Sequence, residues 1–147
     1  MGRRCSINVA MKPAMTITRK VLRYKKVVYF AVSNKTRKYP FGYRSSILYI
    51  GTTKKGAKRI AQSAATQAQR LLVYHGVKEL RFHVVRCSSI PGVKTWLKLE
   101  RALLVAFKHQ YGSVPVGNTS VKRGRWRDEK DYFNDRRLAA VLRAFEK

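Results

Sequence analysis

The first 78 residues of the chain contain no aspartate or glutamate, and Glu79 is the first carboxylate. That stretch cannot hold itself together by ion pairs. Whatever it folds into must bury apolar side chains and leave its cations to an outside anion. Over all 147 residues, 33 Lys and Arg stand against 7 Asp and Glu, a net charge of +26. Self-repulsion at that charge weakens a compact state, and binding a polyanion relieves it. Nucleic acid is the expected partner, because each phosphate met by Lys or Arg releases a condensed counterion. No membrane partner is expected: there is no long basic amphipathic helix, and the apolar runs are far too short for a span. Hydrophobic residues make up 45%, ordinary for a globular chain, so a core can form and one compact domain with tails is expected.

Cys5 and Cys87 set no disulfide framework, and His75, His83 and His109 are scattered singly, without zinc-ligand spacing. A reducing, intracellular location, cytoplasmic or nucleoid, is expected. Residues 1–24 read as a basic arm, carrying Arg3, Arg4, Lys12, Arg19, Lys20 and Arg23, with Pro13 against a continuous helix. Its Arg-bearing, acid-free composition also fits a mitochondrial transit segment, which makes the mitochondrial matrix the alternative location. Gly2 and Ser6 fit a lipidation pattern beside Cys5. The plainer expectation is an arm that lies on phosphates.

From Lys25 the pattern changes. Residues 25–33 are dense in β-branched and aromatic side chains and predict a buried strand. Residues 34–45, rich in Asn, Lys, Arg, Tyr, Pro and Gly, predict a basic loop or hairpin excursion, and 46–52 a second strand. A helix is expected over about 55–72, with Ala57, Ile60, Ala61, Ala64, Ala68 and Leu71 on one face. A third strand follows at 79–86. A long helix at about 93–110 carries Trp96, Leu99, Leu103, Val105 and Phe107 and ends at Gly112. After a loop, Asp128 is the expected N-cap of a C-terminal helix docked through Leu138, Val141, Leu142 and Phe145. The order predicts an α+β fold: a small, three-stranded, mainly antiparallel sheet packed with helices. The arm spans 1–24, the domain 25–124 and the basic C-terminal helix 125–147.

Five residues in this frame carry chemistry as a set. Tyr29 closes Val27-Val28-Tyr29 in the first strand, and Tyr49 opens Tyr49-Ile50-Gly51 in the second. Arg59 follows Gly51 by eight residues on the next helix. Glu100 lies on the long helix beside its apolar stripe, where a carboxylate needs a partner or a ligand. Asn118 ends Pro115-Val116-Gly117-Asn118. Taken singly, two strand tyrosines, one cation among Lys54, Lys55 and Lys58, a paired acid and a turn asparagine are each unremarkable in a sheet protein.

As an ordered set they resemble the GIY-YIG nucleases over about residues 25–118. The second triplet matches in full, and the first keeps its Tyr. The resemblance implies a metal-dependent endonuclease hydrolysing phosphodiester bonds in DNA. Glu100 would be the single carboxylate ligand of Mg²⁺ or Mn²⁺, a role one acid can fill because such ions keep several waters. Arg59 would neutralise the phosphate, Tyr29 would act as general base with Tyr49 positioning the water, and Asn118 would orient the phosphate or brace the site. A phenol ordinarily ionises near pH ~10, so Tyr29 would need help from the metal or from neighbouring cations. Backbone affinity would come from Arg3, Arg4, Arg19 and Lys20 of the arm, Arg37, Lys38 and Arg44 of the basic excursion, Lys54, Lys55 and Lys58 before and on the helix, and Arg123, Arg125 and Arg127 near the C-terminus. The alternative is a non-catalytic, nuclease-like subunit that binds structured RNA inside a ribonucleoprotein such as a ribosome, for which the charge density and the extended arm speak.

Overall fold

A computed structural model describes residues 6–8, 11–12, 25–54, 56–74, 76–119 and 129–147, and at 57–59, 63 and 130 the backbone alone. Three strands, β1 (Val27–Lys38), β2 (Arg44–Thr53) and β3 (Leu80–Val85), form one antiparallel sheet in the order β2-β1-β3. The helices are α1 (Ala57–Leu71), α2 (Thr95–Tyr111), a single turn α3 (Glu129–Tyr132) and α4 (Asp135–Arg143). This is the expected small α+β fold in β-β-α-β-α order.

The central place of β1 explains its composition. Residues 27–33 are buried without a break, because this strand is paired on both edges and covered on both faces. An unbroken β-branched and aromatic run satisfies that environment, where an alternating one would expose half its apolar surface to nothing. On one face Val28, Phe30 and Val32 pack with Ile47 and Ile50 of β2 against Leu99, Leu103 and Phe107 of α2 and Leu138 and Leu142 of α4. On the other, Ala31 and Leu48 pack with Leu71 of α1, flanked by Tyr49, Phe82 and Val116. A bulge sets this division. Ala31 pairs with Tyr49 but Val32 with Ile47, so Leu48 is an additional residue that turns to the α1 face.

Two boundaries differ from the sequence reading. The basic segment 34–45 is a continuation of the hairpin: β1 runs on to Lys38, β2 starts at Arg44, and the turn between them is tied by Tyr39 N–H to Tyr43 O at 2.9 Å. It is a two-stranded ribbon beyond the reach of β3, which pairs only as far as Ser33, so its side chains need no apolar alternation. The C-terminal helix is broken. After α3, Asn134 starts α4 by accepting the backbone N–H groups of Arg136 and Arg137, a second capping position that the sequence reading does not contain. Asp128, the expected N-cap, lies outside the described residues. The α2 helix ends as expected on Gly112, at φ 91°, a left-handed conformation that favours glycine. Among the described residues no helix is long and apolar enough to cross a membrane.

Candidate active site

Four of the five candidate residues, Tyr29, Tyr49, Glu100 and Asn118, lie on or against four consecutive positions of β2, Tyr49 to Thr52. Tyr29 pairs across the sheet with Gly51, and its ring lies 5.9 Å from that of Tyr49, centroid to centroid. Phe82 of β3 backs Tyr29 from the other side at 6.0 Å. The absence of a side chain at Gly51 makes this possible: a β-carbon there would stand 2.6 Å from Tyr49 Cε1 and 2.8 Å from the Tyr29 hydroxyl oxygen. Tyr29 is buried, at 3% exposure, and Tyr49 is half-buried above it.

Asn118 attaches to the next position. Its Oδ1 accepts the Ile50 N–H at 2.9 Å and its Nδ2 donates to the Ile50 carbonyl at 2.8 Å. β2 is an edge strand, so these two groups face away from β1, and the carboxamide completes them as a neighbouring strand would. Gly117 continues the pairing by donating its N–H to Leu48 O at 2.7 Å, and a β-carbon on it would meet that same oxygen at 2.7 Å. Of the two expected roles of Asn118, this geometry is that of a brace.

Glu100 attaches to the last position. Thr52 Oγ1 donates to its Oε2 at 3.2 Å. Glu100 comes from α2, and Thr52 is one pleat position away from Gly51. The carboxylate therefore reaches the Tyr49–Thr52 run from the α2 face, while the two tyrosines occupy the α1 face. One turn earlier on α2, Trp96 lies under the Lys26 ammonium at 5.1 Å, which places a cation at the same end of the sheet.

The backbone of Arg59 falls in the first turn of α1, directly after β2, while its side chain and those of Lys58 and Lys55 lie outside the described residues, as do Arg3, Arg4, Arg19, Lys20, Arg123, Arg125 and Arg127. Lys54 is exposed just beyond β2. Arg37, Lys38 and Arg44 stand on the distal part of the hairpin, away from this site.

Sequence reasoning missed Thr52 and Arg70. Thr52 carries no motif and stands out only once Glu100 is seen beside it. Arg70, on the last turn of α1, approaches Gly117 O and Gln67 Oε1, both at 3.4 Å, and so links α1 to the loop that carries Asn118. Its position one residue before the apolar Leu71 gave no sign of this.

Among the described residues, no three His, Cys, Asp or Glu side chains gather as a metal cage. The donors at hand beside Thr52, one carboxylate and one hydroxyl, are hard oxygens. Comparison with protein-family models, with curated proteins and with solved structures returns no match for this chain.

Proposed function

We propose that the chain is a metal-dependent endonuclease of the GIY-YIG type, hydrolysing phosphodiester bonds in DNA. One observation carries the reading: Tyr29, Glu100 and Asn118, from three separate parts of the sequence, each engage the Tyr49–Thr52 run. Tyr29 does so from the α1 face, Asn118 along the β2 edge and Glu100 from the α2 face. In this reading Glu100, next to the Thr52 hydroxyl, holds Mg²⁺ or Mn²⁺. Such an ion, when bound, supplies charge to a phosphoryl oxygen and to the leaving alkoxide. Arg59 neutralises the phosphate, Tyr29 takes the proton of the attacking water, Tyr49 orients that water, and Asn118 holds the β2 edge in register.

Glu100→Ala tests it in a plasmid-nicking assay with Mg²⁺. Nicking is lost while affinity for uncut DNA stays equal or rises, because a charge that repels phosphate has gone. Undiminished nicking by this variant would sink the assignment.

Two observations favour a second reading, a non-catalytic subunit bound to structured RNA in a ribonucleoprotein. Tyr29 is buried, and both ends of the Asn118 carboxamide are engaged by backbone. Retention of the parent protein in ribosomal particles, with no nicking by the free protein, would decide for it.

A further inference from the structure

The distal hairpin has features that the Tyr29–Glu100 end does not use. We propose that it is a docking platform for single-stranded nucleic acid, in which a cationic cavity takes the phosphates and two exposed aromatic rings at the tip stack the bases. It rests on the nucleic-acid part of the reading above and not on catalysis. Arg37 stands eight residues along β1 from Tyr29, about 25 Å of extended strand, so the two sites are separate.

The cavity holds about 230 Å³ and is lined by Lys35, Arg37, Lys38 and Arg44, with Tyr74 at its wall. Among the described residues, no carboxylate pairs with any of these four cations. Three of them are held in place by neutral groups. Arg44 donates from Nε to Thr36 Oγ1 at 3.0 Å and from Nη2 to Thr36 O at 2.9 Å. The Arg37 guanidinium carbon lies 4.8 Å from the centre of the Tyr74 ring. The Lys35 chain runs close over Gly76, where a β-carbon would touch its Cδ at 3.2 Å. A concave set of positive charges, ordered without counterions, is built for an anion. The size admits a phosphate with part of its nucleotide, not a duplex.

At the tip, Phe41 and Tyr43 are 63% and 60% exposed. Phe41 is nevertheless fixed. Its N–H donates to Tyr111 O at 3.1 Å, and its ring lies against Gly112, where a β-carbon would stand 2.8 Å from Cδ1. Tyr39 anchors the base of the turn through its hydroxyl, which donates to Ile47 O at 2.7 Å. A ring held in place yet left mostly in water contributes little to folding. It is a prepared stacking surface on the Gly112 side of the ribbon, whereas the cavity opens beside Tyr74 and Val77, so a strand uses both by crossing the ribbon. Charge groove plus exposed rings is the arrangement that binds single strands with little sequence preference. A duplex hides its base faces and cannot use the rings. A membrane surface fits less well, since the cations line a hollow and the two rings make no continuous apolar face.

The test is fluorescence anisotropy with the full chain in EDTA, which removes cleavage from the readout. The probes are labelled oligo(dT), oligo(rU) and a DNA duplex of equal length. The Phe41→Ala/Tyr43→Ala double variant, and Tyr43→Ala alone as the milder change, weaken binding to one or both single strands by about tenfold or more, with less than about twofold change on duplex and an unaltered salt slope. On the single strands Arg37→Gln/Arg44→Gln lowers the magnitude of the slope of log K against log salt by about 1.4. Phe41→Trp keeps affinity, and its emission is quenched on binding. The arms with dT and rU show which backbone is preferred; either preference supports the platform. Equal loss on duplex and single strand in the tip variants, or no loss at all, overturns it while leaving the endonuclease reading standing. So does tip-dependent binding to phosphatidylserine vesicles in preference to oligonucleotides. A parent chain that binds no nucleic acid overturns both proposals.

Discussion

A β-carbon at position 51 has nowhere to go. Tyr29 cannot swing outward, being buried between Tyr49 and Phe82, so the strain of Gly51→Ala falls on the two rings and on the β1–β2 register beneath them. Overpacking of this kind costs about 1–3 kcal/mol, and thermal melting of Gly51→Ala should show a loss of that size. Asn118→Ala works in the opposite way, by subtraction. It strands the N–H and carbonyl of Ile50, a residue with 0% exposure, and should cost about 1–3 kcal/mol. Hydrogen exchange offers the direct check: the Ile50 amide should lose protection in the variant while the amides that β1 donates to β3 keep theirs. Asn118→Asp keeps the acceptor for the Ile50 N–H but sets a carboxylate oxygen against the Ile50 carbonyl, so it should not restore the stability of the parent. Single residues were unevenly legible in the sequence. The Tyr-Ile-Gly triplet announced itself by composition, whereas Thr52 became informative only through a carboxylate 48 positions away.

Among the elements, the hairpin turn depends on Tyr39. Its phenol is buried and hydrogen-bonded to Ile47 O, and burial pushes its pKa up to about 12, against a lowering influence from the Val116 backbone. The folded state thus holds that proton more tightly than the unfolded chain does. The stabilisation is complete below about pH 10 and is lost as pH climbs from about 10 through 12. Chemical denaturation of the parent and of Tyr39→Phe across pH 9 to about 11.5 should therefore show a steeper alkaline decline in the parent. At neutral pH the variant should be about 1–2 kcal/mol weaker, from the hydrogen bonds it lacks. The strands at 27–33 and 46–53 were readable because a buried strand must be apolar. The ribbon at 34–38 and 44–45 was not, because Lys35, Arg37 and Lys38 are exposed and no apolar core lies against them to impose a pattern. The break before α4 escaped a pattern built on Leu138 and Leu142, since both sides of it are rich in charge and the stop is made by one asparagine side chain.

For the whole molecule, +26 is the dominant electrostatic fact, and little inside offsets it. Ion pairs among the described residues include Arg81 with Glu79, both largely exposed, and Arg101 with the buried Glu129 at 3.8 Å. Added salt therefore screens far more repulsion than attraction. The melting temperature should rise by several degrees between about 20 mM and 300 mM NaCl, and sulfate or polyphosphate should act at lower concentration by binding. A flat or falling response would mean that the cations are already neutralised within the fold. The same sheet also bears on self-association. The loop 115–118 meets the outer flank of β2 at Leu48 and Ile50, and among the described residues the six-residue β3 has no further strand on its outer flank. A loop laid on one edge, and an Arg81-bearing strand of six residues on the other, both work against strand addition, so the loop that braces the site also blunts an edge at which copies could join.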